Sequence, residues 1–408
     1  MTVKDVALAV AKAAIGEADP YAKTKEALLS LDLTEKLVLL AVGKAAVPMA
    51  RAAADVFGGR ICRGLLVTKD GHLGDFAFPP VYCMEAAHPV PDARSFIAGE
   101  KALRLAESLL PGETLLVLLS GGGSALMEAP RLPPEDLRRV TQKLLRRGAD
   151  IYEINAVRKK LSAVKGGKLA ARAGKAEIVT VALSDVVGND KSVIASGPTV
   201  FTPEDPALLN KIAGTYLPDE PPEVLRLLSV PEDPAPVRND RYLFAGDLST
   251  LLSGAARAAE AFGFVPHVVS AALTGEARDA AAKLLDEIPR LPGKHVFLWA
   301  GETTVTVTGS GKGGRNQEMA LAAAVKLEGT KGIAFVSVAS DGTDGPTSAA
   351  GGYADGETAI KMRAAGVDPA AALKNNDAYS ALTAAGDLIV TGPTGTNVND
   401  LTMIFTDL

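Results

Sequence analysis

Leu115-Leu116-Val117-Leu118-Leu119-Ser120-Gly121-Gly122-Gly123-Ser124 joins an unbroken apolar run to three successive glycines. A short apolar run without polar alternation suits a strand buried on both faces of a parallel sheet. It is far too short to span a bilayer. The glycines let backbone N–H groups approach a ligand closely, beyond the carboxyl end of the strand, where open α/β sheets bind their ligands. The plainer reading is a turn chosen for tight strand–helix packing. That reading leaves unexplained the conformational entropy that three glycines cost.

The same alternation continues on both sides of this stretch. Apolar runs predict strands over 37–42, 64–68, 81–86, 115–119 and 178–183. Helical patterns lie between them, from after Gly43-Lys44 to about 57, and over 92–109, 135–147 and 151–164. Strands alternating with helices imply βαβ units and a mostly parallel sheet covered on both faces. The segment 219–240 is rich in Pro, Asp and Glu and has room for one short helix. The domain connection is placed near its end, giving domains 1–238 and 239–408. The second half continues with a strand at 242–245, a helix at 248–262 and a hairpin-like pair at 296–299 and 303–308. A helix after Gly314, a buried strand at 333–338 and strands at 388–391 and 401–405 complete it. The expected fold is α/β in two domains: an N-terminal Rossmann-like parallel sheet flanked by helices, and a smaller C-terminal α/β domain with a mixed sheet.

Bulk properties narrow the function. A chain of 408 residues exceeds what one core usually supports, and 47% hydrophobic with 22% charged residues is an ordinary globular balance. Forty-three Lys+Arg against 48 Asp+Glu gives −5, which argues against broad nucleic-acid or anionic-membrane binding. Cys62 and Cys83 form neither a disulfide framework nor a zinc site, so a reduced, cytoplasmic protein is expected. The apolar N-terminus carries Lys4, Asp5, Lys12 and Glu17 and reads as an amphipathic helix, not a signal peptide.

Several further loops fall at strand ends. Gly43-Lys44 opens a helix, where an anion is favoured and Lys44 adds a full charge. Asp185 ends a strand and suits metal binding or proton acceptance, with helix capping as the plain alternative. Of the cations in 155–168, most belong to a solvated helix face, with one or two reaching an anionic substrate. Gly309-Ser310-Gly311-Lys312-Gly313-Gly314 matches G-x-G-x-x-G, but without a clean βαβ unit around it. It reads as a mobile phosphate loop followed by Arg315 and Asn316 in the first helical turn. Asp341 and Asp344, three apart and separated by Gly342, can converge on Mg²⁺ or on one hydroxyl. Asn397 and Asn399, if extended, point the same way and can hold a hydroxy acid or phosphate.

At these residues the chain resembles the class II glycerate kinases, the family whose C-terminal part is called the MOFRL domain. The matching stretches are VGKAA (42–46), LLSGGGSAL (118–126), NAVRKKLSAVKGGKLA (155–170), LSDVVGND (183–190) and IASGPT (194–199). GETTVTV (301–307), GGRNQE (313–318), ASDGTDGPT (339–347) and TGTNVND (394–400) continue them in one order along nearly the whole chain. The resemblance implies ATP-dependent phosphorylation of D-glycerate, usually to 2-phosphoglycerate, with Mg²⁺, in the cleft between two domains. By motif match it implies Lys44, Asp185, Arg315 and Asp341 as the cleft residues.

The resulting expectation is a kinase in which Ser120, Gly121, Gly122, Gly123 and Ser124, with Lys44, hold the ATP phosphates. Asp341, with Asp344, holds Mg²⁺, and Arg315 stabilises charge on the moving phosphoryl group. Asp185 orients or deprotonates the glycerate hydroxyl; Asp185 and Asp341 are exchangeable in role. Asn316, Asn397 and Asn399 contact the substrate. A homodimer is left open. One rival is an NAD(P)H-dependent hydroxypyruvate reductase, drawing on the 309–314 glycines. The other is a two-lobed solute-binding protein, against which the acidic loops speak.

Overall fold

A computed structural model describes residues 2–231 and 241–407. The predicted domain connection at 238/239 lies outside the described residues. The first sheet contains β1 (Lys36–Val42), β2 (Ile61–Lys69), β3 (Val81–Ala86), β4 (Glu113–Leu119), β5 (Glu177–Leu183) and β6 (Arg241–Gly246). Their order is β3-β2-β1-β4-β5-β6. The pairs β1–β2, β1–β4, β2–β3 and β4–β5 are all parallel. The unbroken apolar runs of β1 and β4 sit side by side at the centre, with Val42 opposite Leu119. Every residue of β4 is buried, as a strand covered on both faces requires. From β1 the chain winds one way through β2 and β3, and from β4 the other way through β5 and β6. The reversal makes a topological switch point beyond the carboxyl ends of β1 and β4, which is where doubly wound sheets bind ligands.

Helices supply the covering layers. Ala46–Phe57 buries Ala46, Met49, Ala50 and Ala53. Asp92 caps Ala93–Glu107 through the amides of Arg94 and Ser95. Pro134–Arg146, Ile151–Lys160, Pro206–Tyr216 and Pro222–Ser229 form a satellite core around Val140, Leu144, Val157, Ile212 and Leu228.

The second sheet contains β7 (Val265–Leu273), β8 (His295–Gly301), β9 (Ile333–Ala339), β10 (Gly351–Asp355), β11 (Leu388–Ile389) and β12 (Asp400–Thr406). Its order is β11-β10-β9-β12-β8-β7. It is mixed, as expected: β7–β8 is parallel, and the other pairs are antiparallel. Fully buried β12 runs between β8 and β9. Helix Arg315–Leu327 has ten buried residues and packs its Met319, Ala320 and Ala323 into a core with Phe335, Ala354 and Ile404.

These sheets belong to two compact units. The first comprises 20–184 and 189–245; the second comprises the N-terminal residues to Asp19, Asp185–Gly188 and the chain from Gly246 onward. No described helix is long and apolar enough to cross a membrane.

Two expected elements differ. The segment 303–308 is not a strand, despite its Val/Thr alternation. Both flanks of β8 are already taken by β12 and β7, so the hairpin position beside β8 is filled. Its donors go elsewhere: Thr304 to the Gly275 carbonyl at 2.8 Å, Thr306 to the Glu276 carboxylate at 3.1 Å, and Thr308 to Asn376 Oδ1 at 2.9 Å. The helix expected over 151–164 stops at Lys160, where the chain turns so that Ala163 N–H donates to Ala129 at 2.7 Å.

One ion pair anchors the start of β4. Glu113, 7% exposed, takes two bonds from Arg63, at 2.6 and 2.7 Å. The Arg63 guanidinium holds the Glu113 carboxyl down to about 2, against 4.5 ordinarily. A depressed carboxyl pKa stabilises the fold above the unfolded value and loses that contribution as pH falls toward the folded one. Glu113→Gln is therefore expected to cost about 2 kcal/mol at neutral pH. It also flattens the acid limb between pH 4.5 and 2, read as unfolding midpoint against pH.

Candidate active site

Two loops meet at the switch point of the first sheet. The Gly43 amide donates to Val67 at 3.1 Å, and Ser120 N–H to Val42 at 3.0 Å. Lys44 N–H donates to the Gly121 carbonyl at 2.9 Å, and Ala45 N–H to Ser120 Oγ at 3.0 Å. Gly43 has φ +134°, and a Cβ there would collide with Ser120, so this approach requires glycine. Gly122 has φ +85°; a Cβ on it would lie 3.0 Å from the His88 ring and 3.4 Å from the Lys44 stem. Among the described residues, the amides of Gly121 and Gly122 meet no acceptor. Gly121 is buried, and a buried N–H without a partner is rare unless water or a ligand supplies one.

A strained turn backs this loop. Ala195, Ser196 and Gly197 have φ of 50°, 61° and 59°, three successive left-handed residues of which two are not glycine. Such residues cost on the order of 1–3 kcal/mol each and persist where the surroundings over-determine them. The Ala195 methyl packs against Gly123, and the Ser196 hydroxyl lies 2.7 Å from that of Ser124. The carbonyls of Ser196 and Gly197 accept from Gly166 and Gly167 at 2.9 and 2.7 Å. His88, half-buried against Gly122, is pushed down to about 4 by burial and by the charges of Lys44, Lys69 and His72. The loop thus has a neutral imidazole beside the Lys44 charge.

The cations of 155–168 have mostly structural partners. Lys159 pairs with Glu204 at 3.2 Å, and Lys168 Nζ donates to the carbonyls of Lys159 and Lys165 at 2.8 and 3.2 Å. Lys165 is wholly buried and pairs with buried Glu128.

In the second unit the carboxyl ends of β8 and β9 and the start of β12 coincide, with Asp400 opposite both Gly301 and Ala339. Arg315 stands there. Its Nε donates to Asp400 at 2.5 Å and its Nη2 at 3.0 Å, and Nη1 lies 2.9 Å from Glu302. Burial disfavours the Arg315 charge, but Asp400, Glu302 and Asp344 outweigh it and raise its pKa. Asp400 is pushed up to about 6 by burial, against the pull of Arg315, and is still ionised at neutral pH.

Asp344 is 2% exposed and accepts from the amides of Asn316 and Gln317 at 3.2 and 2.9 Å and from both of their side chains. Burial raises its pKa, while these N–H donors oppose the shift. It holds the start of helix Arg315–Leu327 and thereby the placement of Arg315. Asn316 lies beneath the helix start with no exposed surface, its Oδ1 accepting from Ser337 at 2.6 Å. Asp341 is more open, and its Oδ1 accepts from the Thr343 amide and hydroxyl at 2.9 and 3.1 Å. Asn397 and Asn399 lie in an irregular stretch and not in an extended strand, Asn399 having φ +62°. Both reach Asp185, Nδ2 of Asn399 at 2.5 Å from its carbonyl and Nδ2 of Asn397 at 3.5 Å from Oδ2.

The G-x-G-x-x-G loop is largely engaged by a neighbouring turn of the same unit. Four of its six amides are taken: Gly309 and Ser310 donate to the side chains of Asn376 and Asn375, Gly311 to the Asn375 carbonyl, and Lys312 to Asp377. Its glycines allow contact with that turn, since a Cβ on Gly309 or Gly311 would strike Asn375. Asn376 also donates to buried Glu318 at 3.1 Å, and Glu318 pairs with Arg278 at 2.5 Å. Asn376→Ala is expected to cost about 2 kcal/mol. Amide exchange at Thr308 and Gly309 should accelerate at least tenfold, as mass spectrometry of deuterium uptake can show.

Family models match most of the chain: a domain of unknown function, DUF4147, over residues 6–229, and the MOFRL family over 295–400. A Thermotoga maritima protein named D-glycerate 2-kinase is 42% identical across 98% of this chain and 97% of its own. The chain belongs to the glycerate kinase family. The crystal structure of glycerate kinase from Thermotoga maritima superposes with a TM-score of 0.92 at 40% identity, covering 99% of each chain. A Pyrococcus horikoshii structure does so at 0.82 and 36% identity, covering 100% of this chain and 99% of that one. An Agrobacterium vitis relative, 39% identical over 99% of this chain and 94% of its own, carries the provisional name hydroxypyruvate reductase. Membership makes this glycerate kinase relative an enzyme of the phosphotransferase class.

Asp400 and His88 carry no local signal in the sequence that marks them as site residues. Asp400 closes the quoted TGTNVND run and opens β12 directly after Asn399, whose φ of +62° breaks strand alternation between the two.

Proposed function

We propose that the chain transfers the γ-phosphoryl group of ATP to D-glycerate, at the 2-hydroxyl, in the cytoplasm. The observation that carries this reading is the pair of amides, Gly121 and Gly122, without acceptors at the switch point beside Lys44. Backbone donors and one fixed cation suit polyphosphate oxygens. Ser120 and Ser124 hold the loop, and Gly121, Gly122, Gly123 and Lys44 contact the phosphates.

Phosphoryl transfer depends on positioning and on neutralising charge. Arg315 places a guanidinium edge toward the developing charge. Asp185, steadied by Asn397 and Asn399, orients the glycerate hydroxyl and accepts its proton. In this reading Asn397 and Asn399 act on the substrate by way of Asp185.

Mg²⁺ takes one or two carboxylates together with phosphate oxygens and water. Among the described residues, no cluster of three or more His, Cys, Asp or Glu side chains forms a ready-made cage. The donor set fits a site shared with phosphate, with Asp341 as the protein ligand. Asp344 supports it from behind, since its oxygens serve the helix start. When bound, Mg²⁺ neutralises charge on the phosphate oxygens.

The test is direct. Incubation with D-glycerate, ATP and Mg²⁺ should release ADP and 2-phosphoglycerate in equal amounts. NAD(P)H oxidation with hydroxypyruvate, without ADP, would overturn the reading in favour of a reductase.

A further inference from the structure

We propose that Asp400 is the positioning residue of Arg315, fixing which edge of the guanidinium faces the transferring phosphoryl group. This deepens the kinase reading and rests on Arg315 taking part in it. The contact is a fork: Nε to Oδ2 at 2.5 Å and Nη2 to Oδ1 at 3.0 Å. Two parallel bonds define the plane and rotation of the guanidinium, which a single contact cannot. Asp400 is itself immobile, being 5% exposed and held in β12 between Gly301 and Ala339. The Nη1 edge is thereby turned away from Asp400. Among the described residues it meets Glu302, whose side chain is 50% exposed. A phosphoryl oxygen can displace that exposed carboxylate, whereas the buried fork stays in place. Asp400 thus never touches substrate; it determines how Arg315 does.

Asp400→Asn keeps the shape and removes the charge, leaving one acceptor oxygen. The expected result is a kcat lower by about 100-fold, with KM for glycerate and ATP within about threefold, as for an interaction made in the transition state. The decisive measurement is a double-mutant cycle with Arg315→Lys. Lysine cannot be held by a fork, so Asp400→Asn should cost less than about threefold more in that background. A merely structural Asp400 would lower kcat by the same factor in both backgrounds, and that additivity would overturn the proposal. So would a kcat retained within threefold in Asp400→Asn. If Arg315→Lys alone keeps full turnover, the assignment of Arg315 is wrong and this proposal goes with it. If Arg315→Lys is impaired and Asp400→Asn is not, only the positioning role fails. Should Asp400→Asn not fold, Asp400→Glu, which keeps the charge but moves it by one methylene, is read in the same cycle.

Discussion

Arg315→Ala is expected to lower kcat by about three orders of magnitude and to destabilise the second unit at the same time. The kinetic effect follows from its proposed task. Removing a guanidinium that stabilises a moving phosphoryl group costs about 10³-fold or more, or about 4 kcal/mol of barrier. The stability effect follows from geometry. Asp400 is buried and already pushed up to about 6 with Arg315 in place. Without the fork it becomes a buried, uncompensated carboxylate, a change that costs about 3–5 kcal/mol. Its pKa rises further, so it takes up a proton near neutral pH. The two effects can be separated. Arg315→Ala with Asp400→Asn should recover much of the stability and none of the turnover. Thermal unfolding followed through Trp299, the single tryptophan and part of β8, reads the first; ADP release reads the second. Full turnover in both Arg315→Ala and Asp341→Ala would refute the site assignment.

The first sheet was legible for a physical reason. Strands buried on both faces must be apolar at every position, so 37–42, 115–119 and 178–183 announced themselves and ended at informative loops. The second sheet hid more. β7 went unread: it carries Pro266, shifts register twice against β8, and leaves Val265, Val268 and Val269 more than half exposed. β10, Gly-Gly-Tyr-Ala-Asp, has too few apolar residues to show a period. The alternation at 303–308 does not make a strand, because the hairpin position beside β8 that it would need is held by β7 and β12.

The site shows the same division. Local chemistry was readable: glycines at strand ends, a lysine at a helix start, acids in a turn. The partners of those groups were not, because they lie far away in sequence. Asp344 is 28 residues from Asn316, and Asp400 is 85 residues from Arg315. The G-x-G-x-x-G run makes the point most sharply. Its pattern suggests a phosphate loop, but the turn at Asn375-Asn376-Asp377, about 65 residues on, takes up the amides of Gly309 to Lys312. A glycine-rich loop becomes a binding site when its donors remain unpaired, and pairing is a tertiary property.

Lys165→Met is the complementary case, with a large expected loss of stability in the first unit. Lys165 and Glu128 are each about 1% exposed and pair with one another. Burial pushes the Lys165 ammonium down to about 8, against the pull of Glu128, so the pair is a costly arrangement even when complete. Glu128 Oε1 is buried and meets no donor among the described residues. Removing the lysine leaves Glu128 with no counter-charge, for an expected loss of about 3–5 kcal/mol. In a unit of this size that is a fall of roughly 10 °C in unfolding temperature. Calorimetry is the appropriate measurement, because Trp299 lies in the other unit. Lys165→Met with Glu128→Leu should recover most of the loss, since an apolar pair of similar volume carries no desolvation cost. The double variant also tests what the pair is for. Glu128 lies two residues past the end of helix Gly123–Leu126, and Lys165 precedes Gly166, whose amide donates to the Ser196 carbonyl. The ion pair therefore joins the glycine loop to the strained turn behind it. If the double variant is stable but its KM for ATP rises at least tenfold, the pair sets the geometry of that loop. If stability and KM both return, its role is confined to folding.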